Sequence, residues 1–175
     1  MADRIAVMKD GVLQQCDSPT KLYDFPNNVF VAGFIGSPSM NFFSGSITGT
    51  ADEMYVDSGS VRLRIPPKQA QQLGAESIGR EVIFGVRPED IHHPDYKPGG
   101  VNEQLVEAAV DVIEMMGNEL FVYLMSADEQ SFIARVDPRA KMHNGDKLQM
   151  AFNADKIHIF DRSSEKNIAT IAQAL

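Results

Sequence analysis

One stretch of the sequence occurs twice, and this duplication restricts the possible folds more than any other feature. Residues 79–92 align with residues 145–158, sixty-six positions further along the chain. In both copies a glycine precedes an apolar run, a polar turn follows, and an isoleucine and a histidine end the unit. Because Pro88 fixes its own φ and forces Arg87 into an extended conformation, the first apolar run ends as a strand. The duplication predicts a small β-barrel built from two related halves.

Short β patterns continue through the remainder of the chain. Residues 61–65 alternate apolar side chains with arginines, which is typical of a half-buried strand. Residues 105–116 fit either a helix or a strand by their apolar spacing, and we favour a strand because a clear strand follows at 120–125. Two less regular segments are predicted as a short helical turn over 137–142 and a frayed tail from residue 161.

The first 37 residues predict a hairpin and two short helices. Asp10-Gly11 lies between two short apolar runs, and this pair favours a hairpin because its turn requires positive φ. Ser18-Pro19 is typical of a helix start, and Asn28 can cap a second helix over residues 29–35. Burying one Phe or Val contributes about 1.5–3 kcal/mol, so we expect this second, apolar helix to be covered on most sides.

The composition argues against several classes of protein. A net charge of −8 disfavours sequence-independent binding to nucleic acid or to an anionic membrane surface. No apolar run approaches the roughly 20 residues of a membrane span, and the N-terminus lacks a signal layout, which predicts a cytoplasmic protein. The single cysteine, Cys16, cannot form an internal disulfide and has no adjacent base that would make it a nucleophile.

Few side chains are arranged for chemistry. His92 and His93 are adjacent on an extended segment, so they point to opposite sides and cannot readily share a metal ion. Arg87 beside Glu89 and Asp90 is interpreted as a structural tie within a turn. We therefore predict no catalytic, cofactor-binding or metal-ligating residue. The methionines are interpreted as core filler, although methionine also suits adaptable contact surfaces: Met115, Met116, Met125, Met142 and Met150.

Several motifs resemble one known family, and they occur in that family's order. Residues 30–42, together with residues 3–8 and Leu22-Tyr23, resemble the ATPase subunits of maltose-type carbohydrate ABC importers. Residues 85–90 resemble a second signature of that family, and residues 117–119 a third. The positions that carry the first two signatures are interpreted as structural: Phe34, Gly36, Ser37, Pro38, Asn41, Phe42, Gly85, Arg87, Pro88 and Glu89.

The resemblance implies the C-terminal part of such a subunit. Residues 1–37 would be the end of the nucleotide-binding domain, and residues 38–175 a regulatory domain with a duplicated OB-fold (TOBE) barrel. The phosphate loop, the signature motif and the switch histidine of the family are missing from this sequence. We therefore predict that this chain is not an enzyme and holds no cofactor, whereas the full-length subunit binds ATP and Mg.

The implied role is a regulatory and dimerisation module of an importer for sugars or related solutes. The resemblance implies a homodimer through the regulatory domain, with Gly117, Asn118 and Glu119 as candidate contacts. Residues 120–125 are apolar at successive positions, so both faces of this strand should be covered, one by a partner. The other implied partners are membrane-spanning importer subunits, met through the missing ATPase domain, and a regulatory protein, at the inner face of the cell membrane.

Two other functions were weighed against this role. Related duplicated barrels in molybdate systems bind oxyanions, so a molybdate- or tungstate-binding TOBE protein is the main alternative. An oxyanion site would need converging backbone N–H groups together with Ser, Thr or Lys side chains. The net negative charge of the chain disfavours such a site. Binding of nucleic acid by an OB-like barrel requires a basic groove with exposed aromatic side chains, which the charge also disfavours.

Overall fold

Strands dominate the fold, as the sequence predicts. The structure is a computed structural model and describes residues 3–170. Within that range the elements are β1 (Ile5–Lys9), β2 (Val12–Asp17), α1 (Pro19–Asp24), α2 (Val29–Phe34), β3 (Asn41–Thr50), β4 (Glu53–Asp57), β5 (Arg62–Arg64), α3 (Pro67–Leu73), β6 (Glu81–Val86), β7 (Ile91–His92), β8 (Glu103–Met116), β9 (Glu119–Met125), β10 (Ser131–Val136), β11 (Lys147–Asn153), β12 (His158–Asp161) and β13 (Asn167–Ala169). No helix in this range is long and apolar enough to cross a membrane.

The N-terminal hairpin and both short helices form for the reasons that the sequence gives. Asp10 and Gly11 take positive φ of 50° and 79° in the turn between β1 and β2. The Ser18 hydroxyl accepts a hydrogen bond from the Lys21 backbone N–H at 3.4 Å and caps α1. The side chain of Asn28 caps α2 in the same way, accepting from the backbone N–H of residue 31 at 2.9 Å.

Two antiparallel sheets bury one shared apolar core. The six-stranded sheet has the order β13-β12-β6-β3-β4-β5, and the five-stranded sheet has the order β10-β9-β8-β11-β7. At the centre of the core the ring of Phe43 lies 5.2 Å from that of Phe84, 5.9 Å from that of Phe132 and 6.3 Å from that of Phe152, measured between centroids. The prediction of a mainly β fold is confirmed.

The two copies of the repeated unit exchange strands. In the first copy a 3-10 turn joins β6 to β7, and in the second an equivalent turn joins β11 to β12. β6 pairs with β12, and β7 pairs with β11, so each copy contributes one strand to each sheet. The pairs Gly85–His158 and Ala151–His92 occupy equivalent positions in the two ladders.

Side-chain amides join the two sheets at two strand edges. The Asn41 carboxamide accepts from the backbone N–H of Ile133 at 2.8 Å and donates to its carbonyl at 2.8 Å, as a neighbouring strand would. Gln104 makes the same two contacts with Arg64, accepting at 2.6 Å and donating at 3.3 Å. Each amide therefore satisfies an edge that would otherwise expose unpaired backbone groups.

Replacing Asn41 by aspartate is expected to lower the unfolding free energy by about 2–3 kcal/mol at neutral pH. The Asn41 amide also donates to the Val86 carbonyl at 3.1 Å, so a carboxylate there would face two carbonyl oxygens with no proton to donate. Urea unfolding measures the effect. Asn118→Asp, the same change at an exposed turn residue, is the control and is expected to change the free energy by less than about 0.5 kcal/mol.

Two local expectations were wrong. Residues 161–170 do not fray, because β13 pairs with β12 and the Asp161 carboxylate accepts from Ser164 N–H at 2.8 Å and from Arg80 at 2.7 Å. The last five residues of the predicted tail lie outside the described range. Residues 137–142 form a turn closed by one backbone bond, and no helix. Helix α2 is covered on most sides, as expected, because Val31 packs in one buried cluster and Ala32 in another, and only Phe34, 65% exposed, faces outward.

The methionines are divided between the core and the surface. Met142 and Met150 are buried, as expected of core filler, and Met125 is half-buried. Met115 and Met116 are 75% and 53% exposed, so their interpretation as core filler was wrong. They lie at the end of β8, where the strand extends beyond the core.

Candidate functional site

Arg87 joins the helical segment to the sheets. It follows β6 in the extended conformation that Pro88 imposes, and its side chain is only 2% exposed. The guanidinium donates from Nη1 to the Ile35 carbonyl at 2.8 Å and from Nη2 to the Tyr23 carbonyl at 2.6 Å. It also lies over the Tyr23 ring, 3.7 Å from the centroid. We call Arg87 and these two partners the arginine joint.

The arginine joint fixes the ends of both short helices. Tyr23 is in the last turn of α1, and Ile35 is the C-cap of α2. Cations are favourable at helix C-termini, where carbonyl groups lack helical partners. Burial lowers the pKa of Arg87 to about 10, so the side chain remains charged at neutral pH.

The predicted tie between Arg87 and the carboxylates of its own turn was wrong. Within residues 3–170, Arg87 makes no ion pair with Glu89 or Asp90. Its hydrogen-bond partners are backbone carbonyls 52 and 64 residues earlier in the chain. The carboxylates nearby contribute only a longer-range attraction to the guanidinium.

Two glycines of the signatures provide room at the joint. A Cβ on Gly36 would lie 3.1 Å from the nearer Arg87 nitrogen, and the φ of this residue, +122°, is itself unfavourable for other residues. A Cβ on Gly85 would lie 2.4 Å from the Met40 sulfur and 3.3 Å from the Phe42 ring. The positive φ favours glycine at position 36, and at position 85 the Met40 side chain would have to move to admit a Cβ.

The structure brings most of the signature positions together but not all. The first signature and the second meet around Arg87. Ser37 and Pro38 connect α2 to β3. Asn41 and Phe42 begin β3, which pairs with β6, the strand that ends just before Arg87. Pro88 is buried and Glu89 is half-buried in the following 3-10 turn. The remaining positions do not join the cluster: Phe34 is exposed, and Gly117 and Asn118 form the exposed turn after β8, next to the half-buried Glu119.

Burial shifts the pKa of two ionisable side chains near the joint towards their neutral forms. His158 is buried against Phe160, and desolvation, with smaller contributions from Arg87 and Lys156, lowers its pKa to about 3. Desolvation raises the pKa of Asp90 to about 7, and the neighbouring Glu89 adds to the effect. The described residues contain no group of three or more His, Cys, Asp or Glu side chains that could hold a metal ion.

Asp90→Asn is expected to stabilise the protein at pH 8 and to leave stability unchanged near pH 4. Because the pKa of Asp90 is about 7 when folded and about 3.9 when unfolded, its stabilising protonation is present below pH 4 and is lost as the pH rises through 7. Urea unfolding at both pH values measures the difference. Asp52→Asn, at an exposed turn residue, is the control, and an equal effect of Asp90→Asn at both pH values would contradict the expectation.

The arrangement is suited to holding two segments together. Arg87 presents its donors to backbone carbonyls, and His158 is enclosed, so neither can transfer a proton to an external substrate. The sequence did not identify Tyr23 as the ring beneath Arg87 or Ile35 as its acceptor. The Leu22-Tyr23 motif was the only available signal.

The comparisons with known proteins agree with the resemblance. Residues 36–91 match the MalK OB fold domain, and residues 84–160 match the TOBE domain. The chain is 44% identical to the oligosaccharides import ATP-binding protein MsmX of Bacillus subtilis, covering 96% of this chain and 45% of MsmX. It is 43% identical to the trehalose/maltose import ATP-binding protein MalK of Thermococcus litoralis, with the same coverage of 96% and 45%.

Two further similarities complete the comparison. The osmoprotective compounds uptake ATP-binding protein GgtA of Synechocystis is 42% identical, over 96% of this chain and 45% of GgtA. The solved structure of the cytoplasmic molybdate-binding protein ModG has a TM-score of 0.49 and 18% identity, covering 68% of this chain and 94% of that chain. That likeness is too weak to carry an argument, and the oxyanion alternative is the weaker one.

The matches confirm the predicted OB-fold and TOBE domains, whereas the boundary between residues 37 and 38 stays a prediction. The chain spans less than half the length of the three import proteins. Together the two matched domains extend over residues 36–160. The chain therefore belongs to the family of ABC importer ATP-binding proteins that combine a MalK-type OB fold with a TOBE domain.

Proposed function

We propose that this chain is the regulatory and dimerisation module of the ATP-binding subunit of an ABC importer for sugars or related solutes. The arginine joint is the observation that carries the proposal. It connects the segment that resembles the end of an ATPase domain with the OB-fold and TOBE domains. Two relatives are named as import proteins for oligosaccharides and for trehalose or maltose, and these names support the proposed role in sugar import.

A second anchor at the other end of α2 supports the same role. The backbone N–H of Val29 donates to the Glu165 carbonyl at 3.0 Å. Asn167 donates from its backbone to the Asn27 carbonyl at 2.8 Å and from its side chain to the Pro26 carbonyl at 3.0 Å. Helix α2 is thus hydrogen-bonded to the rest of the fold at both ends, which would couple the position of the helical segment to that of the sheets.

The ATPase chemistry belongs, in this proposal, to the part of the relatives that this chain does not match. ATP and Mg would bind there, and the contacts with membrane-spanning subunits would also lie there, at the cytoplasmic face of the membrane. This chain would hold no cofactor and catalyse no reaction. A regulatory protein remains a proposed partner, and the acidic charge of the chain speaks against nucleic acid.

A chimaera tests the proposed function. The matched C-terminal part of MsmX is replaced by this chain, and the chimaera is produced in Bacillus subtilis lacking MsmX. Growth on an oligosaccharide that requires MsmX should be restored. The same chimaera with Arg87→Ala should bind ATP but restore growth poorly, because the joint would no longer hold the two segments. A folded, ATP-binding chimaera that restores no growth would overturn the proposal.

The proposed homodimer has a candidate surface on β9. Its inner residues Leu120, Val122 and Leu124 are buried in the core, while Phe121 and Tyr123 on the outer face are only half-buried. The expectation that both faces of this strand are covered therefore holds for the inner face, and a second copy would cover the outer one. The exposed turn at residues 117–118 lies at the end of the same face.

Light scattering across a dilution series is expected to show a dimer at micromolar concentration. Phe121→Glu should shift the equilibrium towards the monomer by placing a charge on the proposed interface. Val12→Glu changes an exposed apolar residue of the N-terminal hairpin and should leave the dimer intact. A monomer mass at every concentration would rule out the dimer for this chain.

A further inference from the structure

Strand β8 extends beyond its neighbour β11 and leaves one edge open. The ladder between β8 and β11 ends at the pair Ala109–Lys147. The next residue, Val110, still donates to the Asp146 carbonyl at 2.8 Å and accepts from Gly145 N–H at 2.7 Å. From residue 111 to 116, β8 pairs with β9 alone within the described part of the chain. We call residues 111–123 the arm.

A bulge separates the arm from the rest of the sheet. The register of β8 against β9 shifts between Val110 and Val112, so Asp111 has no direct partner on β9. Bulges bend a strand and end its regular pairing, which explains why β11 does not follow β8 further. The N–H and C=O groups on the outer edge of residues 111–116 are therefore available to another strand.

The side chains beside the open edge are apolar and exposed. Val112 is 41% exposed, Met115 75% and Met116 53%. Natural edge strands are commonly protected by lysine or proline, and residues 111–116 contain neither. Methionine adapts its shape to different partners, and Met115 and Met116 lie on the two opposite faces of the strand, so a pairing segment could contact a methionine on either face.

The charge of the arm selects the kind of partner. Its charged side chains are all carboxylates, Asp111, Glu114 and Glu119. Glu119 lies 3.6 Å from Arg135, and Glu114 accepts a hydrogen bond from the Tyr123 hydroxyl at 3.2 Å. A second copy paired edge to edge would bring the carboxylates of two arms close together, which is unfavourable. A basic partner would neutralise them.

We infer that residues 111–116 bind an extended segment of another protein in which lysine or arginine alternates with apolar residues. The backbone of that segment would continue the sheet, and backbone hydrogen bonds would supply much of the affinity. Its apolar side chains would lie on the face of Met115, which is opposite Leu120 in the ladder, and its basic side chains would lie on the other face beside Glu114, which is opposite Phe121. The inference goes beyond the proposed function, because it names a contact for which transport is not required.

The isolated chain and a short peptide of alternating Lys and Val, blocked at both ends, test the inference. Titration followed by NMR should show that amide exchange slows for residues 111–116. Met115→Lys places a cation at the open edge and should weaken binding by about tenfold or more. Leu105→Lys is the matched control, because Leu105 is an exposed residue of the same strand where β8 is paired with β11. The affinity of the Leu105→Lys variant for the peptide should stay within about twofold of that of the unchanged chain.

Three control results would overturn the inference. A peptide of alternating Lys and Gly that binds equally well would show charge attraction without strand pairing. A Glu and Val peptide that binds equally well would show that the carboxylates do not select the partner. Slow exchange at residues 111–116 without peptide, lost on dilution, would show that a second copy covers the edge. That last result would leave the proposed function intact.

Discussion

Arg87→Ala is expected to lower the unfolding free energy by about 3 kcal/mol in urea unfolding. The change leaves the carbonyls of Tyr23 and Ile35 buried without their donors, and each unsatisfied group costs about 1–3 kcal/mol. It also removes the guanidinium from the Tyr23 ring. Arg87→Lys should recover only part of the loss, because an ammonium lacks the planar fork that reaches both carbonyls.

Arg62 provides a matched control for the arginine joint. Its guanidinium lies over the Tyr55 ring, 4.1 Å from the centroid, but the side chain is exposed and is not hydrogen-bonded to a helix end. Arg62→Ala should therefore change the unfolding free energy by less than about 1 kcal/mol. Equal effects of the two alanine substitutions would show that stacking on tyrosine, and not the two carbonyl bonds, accounts for the contribution of Arg87.

Phe43→Ala is expected to cost about 4 kcal/mol, the largest effect of any single substitution considered. The ring is fully buried and contacts Phe84, Phe132 and Phe152, which come from strands of both sheets. Its removal would open a cavity that the rigid β framework cannot close. Thermal and urea unfolding measure the loss.

Phe34→Ala is the control for the ring substitution. Phe34 is also a phenylalanine, but it is largely exposed, and its ring stacks on that of Phe30. Its replacement should cost less than about 1 kcal/mol. If Phe43→Ala lowered the unfolding free energy as little as Phe34→Ala, the core would be repacking to fill the cavity. The unfolding transition would then broaden.

The local elements could be predicted from the sequence because their determinants are neighbours in the chain. Asp10-Gly11 sets the hairpin turn, and Ser18 and Asn28 cap the helices a few residues away. Residues 105–116 were ambiguous by apolar spacing, and the strands that follow supplied the correct interpretation, since they belong to β8. The repeat predicted a duplicated barrel, and the cross-paired strands show how its halves fit.

The contacts that build the candidate site join residues too distant for any pattern to connect. Arg87 reaches back 64 residues to Tyr23, and Asn41 reaches forward 92 residues to Ile133. Such contacts depend on the folded topology and leave no periodic signal in the sequence. The turn at Asp161 was missed for a different reason: its side-chain bonds to Ser163 and Ser164 are local, but they form no apolar pattern.

The strand exchange between the two copies has a consequence for how the protein could be divided. The ladders between β6 and β12 and between β7 and β11 both cross from one copy to the other, and residues 98–100 form an exposed part of the chain that connects the two copies. A cut there would leave neither piece with a complete set of strand neighbours. The two pieces would have to fold by associating, so a single copy encoded alone could reach this architecture only as an intertwined pair.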